Sequence, residues 1–234
     1  MGKKAVSMKY EMKIALPVYK MVYSFLFMGI IVLVRPIQST TEIIVTVETY
    51  IALLAGIFLA DTYYQEFTSG RISCYYRYGI RKKIISVIQR NLIGISYLLL
   101  LATLAYWGFI LWYHPIHVSA TPESVLYGNV IAASLASIIF VGSFGFTLTN
   151  LTQNMGIGIG GTLVLWLLMT SSVMDHLPDY FQLFLLHSSE AQDGILLPYY
   201  PSRELYAAVG IVLFGINVFL IRRQPKQRKK GWKK

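Results

Sequence analysis

Cysteine occurs once in this chain, as Cys74, so no internal disulfide can form and no cluster of thiolates is available to a metal. Charge is scarce as well: Asp, Glu, Lys and Arg make up 14% of the 234 residues, where an ordinary soluble domain carries roughly 25%. A phosphate-binding loop of the GxxxxGK[ST] type is missing, and without one the chain hydrolyses no ATP by that route. Histidine is limited to His114, His117, His176 and His187, all in connections between apolar stretches. An intramembrane serine protease needs a serine and a histidine base within hydrogen-bond reach. The nearest serine motif, Gly142-Ser143-Phe144-Gly145, has its residues in the wrong order, and the histidines lie elsewhere. His114 and His117 stand three apart, as zinc ligands can, but no Cys or carboxylate cluster accompanies them. The sequence therefore predicts no catalytic centre, no metal and no cofactor.

What the chain has is apolar length, with 55% hydrophobic residues gathered into six stretches at about 14–34, 43–60, 92–113, 125–148, 157–174 and 205–221. At about 1.5 Å per helical residue each approaches or exceeds the roughly 30 Å of a hydrocarbon core. The expected fold is all-α: a single polytopic membrane domain with a short N-terminus at 1–13, a six-helix bundle over 14–221 and a basic tail at 222–234. The first stretch contains Pro17 and runs to Arg35-Pro36 without a small-residue cleavage site, so it reads as a retained helix and not as a signal peptide. The opening Met1-Gly2-Lys3-Lys4 fails as a myristoylation signal, because the hydroxyl position holds Val6.

The basic residues orient the bundle. Counting Lys3, Lys4, Lys9, Lys13 and Lys20 at the start, six from Arg71 to Arg90 and eight after Ile221, nineteen fall on one face. Only Arg35 and Arg203 fall on the other. Lys- and Arg-rich short loops stay cytoplasmic, which places both termini and the loop around Arg81 inside a cell membrane. The formal charge of +10 then reflects anionic lipid, worth about 1 kcal/mol per basic residue. No basic face interleaved with stacking aromatics occurs, so nucleic acid is not an expected partner.

Small residues in the spans predict close helix packing, at Ala132, Ala133 and Ala136 with Gly142 and Gly145 in the fourth, and at Gly156 and Gly160 in the fifth. The run Gly156-Ile-Gly-Ile-Gly160-Gly161 is not a dinucleotide loop, since it opens an apolar span and follows no strand. Glu48 is the one carboxylate well inside a span. Two readings stand for it: reaching up to the interface beside Arg35, or lining a substrate path. Two connections are long. The external one, 175–204, carries apolar patches at 181–186 and 195–200, too short to span and expected to dip into the interface or re-enter against protein. The cytoplasmic one, 61–91, is basic and aromatic, and its Tyr63, Tyr64, Phe67 and Ile72 suit a short amphipathic helix at the membrane surface.

In that inner segment Glu66-Phe-Thr-Ser-Gly70, followed by Tyr78-Gly79-Ile80-Arg81 with Lys82 and Lys83, resembles the coupling segment of permease subunits of type-2 ATP-binding-cassette exporters. The layout is also similar: six spans, both ends inside, a coupling helix after the second span and an external re-entrant region before the sixth. The chain departs from that pattern at Arg71, where a threonine is frequent, at Gly79 in place of a proline near the turn, and at Arg90 for a lysine opening the third span. The resemblance implies ATPase coupling through Glu66, Gly70, Arg71, Arg77, Arg81, Lys82 and Lys83. It also implies a substrate path near Glu48 and Tyr50, a second permease subunit, and separate cytoplasmic ATP-binding subunits as partners.

The expected function is thus export of a peptide, lipid or drug-like molecule, by a permease that is not itself an enzyme. Two alternatives remain open at this level. One is the six-span substrate-binding subunit of a vitamin importer, whose small-residue docking pattern would be expected in the first span, whereas here the clearest Ala-xxx-Ala lies in the fourth. The other is a membrane sensor or assembly protein without transport.

Overall fold

The computed structural model describes residues 10–62, 80–116, 122–178, 181–184 and 201–223. Among the described residues six α-helices of 15 residues or more follow one another: α1 Val18–Val34, α2 Thr40–Ala60, α3 Ile80–Tyr113, α4 Glu123–Thr152, α5 Met155–Met169 and α6 Pro201–Arg223. A helical turn at 10–15 precedes α1, and a 3₁₀ segment, Ser172–His176, follows α5. Among the described residues there is no strand, only an isolated bridge between Ser39 and Ile116 that ties two connections at one end of the bundle.

Among the described residues four helices are long and apolar enough to cross a membrane: α2, α3, α4 and α6. The other two are shorter than the apolar stretches they come from. Pro17 stands at the N-cap of α1, so the helix starts at Val18 and spans 17 residues, because a proline has no N–H to give and is tolerated only at a helix start. The stretch expected at 157–174 ends its helix at Met169 after 15 residues. There Thr170 and Ser171 turn their hydroxyls back onto the carbonyls of Trp166 and Leu168, a local bonding pattern that competes with continued helix. At about 1.5 Å per residue α5 is about 22 Å long. In the other direction α3 begins twelve residues before Leu92 and reaches 34 residues, about 51 Å. It is therefore longer by about 20 Å than a hydrocarbon core is thick.

The bundle is built around α2. In its apolar window 83% of residues are buried inside the protein, against 22% for α6. A helix apolar on all sides is stable only where every side has a neighbour, and α2 finds α3, α4 and α5 around it. Its start is set by Ser39, whose hydroxyl accepts from Glu42 N–H, while the Glu42 carboxylate accepts from Gln38 N–H, a near capping box. Ile43, Ile44, Val47, Ile51, Phe58, Leu98, Phe109, Val130 and Ile138 belong to the main core cluster.

Close approach of α2, α4 and α5 depends on glycines. A Cβ on Gly145 would lie 2.8 Å from the carbonyl oxygen of Gly56, and one on Gly158 would lie 1.8 Å from Thr149 Oγ1 and 3.1 Å from Gly145 O. Thr149 and Thr162 direct their hydroxyls to the Gly145 and Gly158 carbonyls, which seats the Thr149 hydroxyl against Gly158, the Thr162 hydroxyl against Gly145 and the Thr162 methyl against Gly56. Gly142 faces Leu59 and Ala55 of α2. The small-residue face differs from expectation at three positions. Ala132 is exposed, while Ala133 and Ala136 are buried as expected. In α5 a Cβ on Gly160 would meet nothing within 4 Å, and one on Gly156 would meet only the Asn154 cap. The close contacts fall at Gly158 and Gly161, half a turn round from the expected line.

Candidate functional site

Three ion pairs join helices among the described residues, two at the Asp61 end and one toward the Arg35 end. Lys20, on the first turn of α1, is buried and pairs with Asp61 at the C-cap of α2. Its ammonium also donates to the Phe58 carbonyl at 3.1 Å and sits 5.3 Å from the centre of the Phe58 ring. The sequence places Lys20 with the solvated N-terminal lysines. Burial makes it a structural cation instead, since a buried ammonium needs an anion and further hydrogen-bond acceptors.

Glu11, in the turn before α1, reaches α3. Its carboxylate accepts from Arg90 Nε at 2.5 Å and from the Ser86 hydroxyl at 2.7 Å. Arg90 also extends Nη1 to the carbonyl of Thr62 at 3.5 Å. The two pairs thus hold Asp61 and Thr62, at the end of α2, and Arg90, within α3, against one N-terminal segment. Of the coupling residues expected from sequence, Glu66, Gly70, Arg71 and Arg77 lie outside the described residues, as does Cys74. Arg81 and Lys82 are exposed on the first turn of α3, while Lys83 is buried.

Toward the other end, Glu48 is fully buried. Both its oxygens are taken by Arg203 of α6, Oε1 from Nε at 3.1 Å and Oε2 from Nη2 at 2.8 Å, and Ser137 of α4 donates to Oε1 at 2.8 Å. The planar guanidinium matches a carboxylate two-pronged, so one carboxylate joins α2, α4 and α6. The expected neighbour, Arg35, is not the partner. Its guanidinium lies over the ring of Tyr50, 5.8 Å from the centroid. Sequence reasoning missed Arg203 and Ser137. The available signal was arithmetic: one buried carboxylate on a face with two basic residues must choose between them.

Tyr50 belongs to an aromatic cluster with Phe27 of α1 at 6.0 Å and Trp166 of α5 at 6.2 Å. Trp166 is held by its indole N–H, which donates to the Thr49 carbonyl at 2.9 Å. Two further polar contacts tie the last helix in place. Asn217 of α6 accepts from Asn150 at 2.7 Å and donates to Thr147 at 2.7 Å, both on α4. Tyr206 donates to the Phe181 carbonyl at 2.6 Å, and the neighbouring Leu183 and Phe184 are buried against Phe140, Met169 and Met174. Within the patch at 181–186, Leu183 and Phe184 therefore pack on protein, while Phe181 is exposed. Its remainder, and the patch at 195–200, lie outside the described residues.

Comparison with protein-family models, with curated proteins and with solved structures gives no match.

Proposed function

We propose that this chain is the membrane-spanning subunit of an ATP-driven exporter of the type-2 ATP-binding-cassette layout, with α1 to α6 as six spans, both termini cytoplasmic, and ATP hydrolysed by separate cytoplasmic subunits. The support is the residue pattern Glu66-Phe-Thr-Ser-Gly70 with Tyr78-Gly79-Ile80-Arg81, the one-sided distribution of Lys and Arg, and the absence of a phosphate loop in the chain itself. The observation that carries most weight is the double clamp on the inner connection. Lys20–Asp61 and Glu11–Arg90 fasten both of its flanks to the N-terminal segment and to two long helices. Force applied to residues 63–79 by a partner would then enter α2 and α3 through rigid, buried contacts and not be lost in a slack loop.

The short α1 and α5 fit this reading as spans that cross with local thinning of the bilayer or with flanking residues reaching to the interface. A second copy of the chain or a similar subunit completes the transporter. The substrate belongs to the peptide, lipid or drug-like class. The experiment is co-purification from membranes, with any ATP-binding-cassette ATPase that accompanies the chain identified by mass spectrometry, followed by reconstitution. A stoichiometric ATPase lost on the double charge reversal Glu66→Lys with Arg81→Glu, together with ATP-dependent flux, is the expected result. Undiminished ATPase recovery from that mutant removes the coupling assignment. A sensor or assembly protein would give no flux at all, and a vitamin importer would move substrate inward.

A further inference from the structure

We infer that the bundle is built as two rigid bodies that part from each other at the Asp61 end. The N-terminal segment with α1 and α3 forms one, and α2 with α4, α5 and α6 forms the other. The backbone bridge between Ser39 and Ile116 is the hinge, and Lys20 on Asp61 is the lock. The division stands without the exporter reading, though the permease proposed above would use it.

In a bilayer, apolar helix faces are not driven together by exclusion from water, because lipid tails are as apolar as leucine. Hydrogen bonds and close backbone contacts then decide which helices move as one. Among the described residues these fall into two sets. Within the first body they run the length of the α1 and α3 pair: Glu11 accepts from Arg90 and Ser86, Tyr97 meets the Ser24 hydroxyl at 2.8 Å, and Tyr113 donates to the Leu33 carbonyl at 2.9 Å. Within the second, Glu48 joins α2, α4 and α6, Trp166 ties α5 to α2, and Asn217 ties α6 to α4. The glycines that bring backbone against backbone, Gly145 on Gly56, Gly158 on Gly145 and Gly210 on Ile139, all sit in this second body.

Between the two bodies the pattern reverses. The middle of the seam is side chain on side chain: Leu98, Leu101, Ala102 and Phe109 of α3 share one apolar cluster with Val47, Ile51, Leu54 and Phe58 of α2. A Cβ on Gly94 of α3 would meet only the Leu59 side chain. Polar ties gather toward the two ends. At one, Ile116 N–H donates to the Gln38 carbonyl at 3.0 Å, Thr40 N–H donates to the Ile116 carbonyl at 3.3 Å, and Thr103 meets the Tyr127 hydroxyl at 3.0 Å. At the other stands the buried Lys20–Asp61 pair, its ammonium also on the Phe58 carbonyl, and Arg90 adds a long bond of 3.5 Å to Thr62. Neutral bonds near the axis survive a small rotation. The charged end does not, because a buried pair that parts leaves both charges without compensation. Residues 63–79 link Thr62 of the one body to Ile80 of the other, so a pull on that connection is applied beside the lock.

The test is pulsed electron spin resonance on the Cys74→Ser chain in phosphatidylcholine nanodiscs, spin-labelled in pairs at exposed positions. Ile85 with Leu151 crosses the seam at the lock and Leu111 with Val125 crosses it at the hinge, while Val18 with Ile85 and Leu151 with Ile216 each stay within one body. Lys20→Met and Asp61→Asn, each leaving one charge without its partner, are expected to lengthen the Ile85 to Leu151 distance by about 5 Å, the reach of a ~10° tilt about a hinge roughly 30 Å away. The other three distances stay within about 2 Å of wild type. Samples with Lys20 and Asp61 intact, frozen from graded temperatures below unfolding, broaden at Ile85 to Leu151 first, a readout that serves where a lock variant does not fold. Lock variants that run as wild type in gel filtration yet keep the wild-type Ile85 to Leu151 distance overturn the two-body division. So do within-body pairs that move as far, a hinge pair that opens first, or four distances that broaden together on warming. No ATPase is present, so failure here leaves the permease reading standing, and a seam that opens without ATP-dependent flux defeats only the permease reading.

Discussion

Glu48 and Arg203 are 155 positions apart and meet through two parallel hydrogen bonds of 3.1 and 2.8 Å. The carboxylate is fully buried and the guanidinium side chain is 13% exposed. In such a place an ion pair is costly to create and more costly to break, because removing one partner leaves the other charge without compensation.

Glu48→Ala and Arg203→Ala should each destabilise the protein by about 3–5 kcal/mol, the usual range for a broken buried pair. Thermal unfolding in detergent reads this directly. The double mutant should lose distinctly less than the sum of the two singles, and strict additivity would mean that the pair is not coupled.

The Lys20–Asp61 pair, buried on both sides, supports a sharper comparison. Lys20→Met and Asp61→Leu should each be strongly destabilising, whereas the double replacement by apolar residues should recover most of the loss, since it leaves no orphaned charge in the core. A double mutant less stable than either single would contradict this.

Gly145→Val should be among the worst-tolerated changes in the chain, because its first added carbon already meets the Gly56 backbone at 2.8 Å. Overpacking at such a contact costs about 1–3 kcal/mol or more. Gly160→Ala, with nothing within 4 Å, should be neutral or stabilising by a few tenths to about 1 kcal/mol through helix propensity. Denaturation midpoints of the two variants, measured side by side, test whether the packing line runs through Gly145 and Gly158 or through Gly156 and Gly160.

Cys74 is the only thiol in the sequence, which makes topology accessible without mutagenesis. A membrane-impermeant maleimide should modify it only after cells are opened. Labelling in intact cells would place the inner connection outside and reverse the orientation inferred from Lys and Arg.

Much of the architecture was legible in the residue order because its cause is local. An apolar run in water-poor surroundings must satisfy its own backbone, so helix follows from composition alone, and each of the six stretches carries a helix among the described residues, four of them long enough to cross a membrane. Their ends were less legible. The first stretch, read as 14–34, runs through Pro17, whereas the helix starts only after it at Val18, and the stop at Met169 depends on Thr170 and Ser171 bonding back to the chain, which competes closely with one more helical turn. The face used for packing was half legible. Small residues announced close contact in the fourth and fifth spans, yet a shift of two positions in α5, from Gly160 to Gly158, decides which of them carries it.

The sequence by itself determined that this is a helical, strongly apolar chain whose cations crowd one set of connections, because hydrophobicity and charge are summed along the chain and need no partner. Only the tertiary structure decided that α2 lies at the centre, that Glu48 chooses Arg203 over Arg35, and that Lys20 and Glu11 hold the two flanks of one connection. Those outcomes depend on which helix faces are brought within about 3 Å of each other, the distance at which a hydrogen bond exists or does not. Spacing along the chain carries no record of that distance.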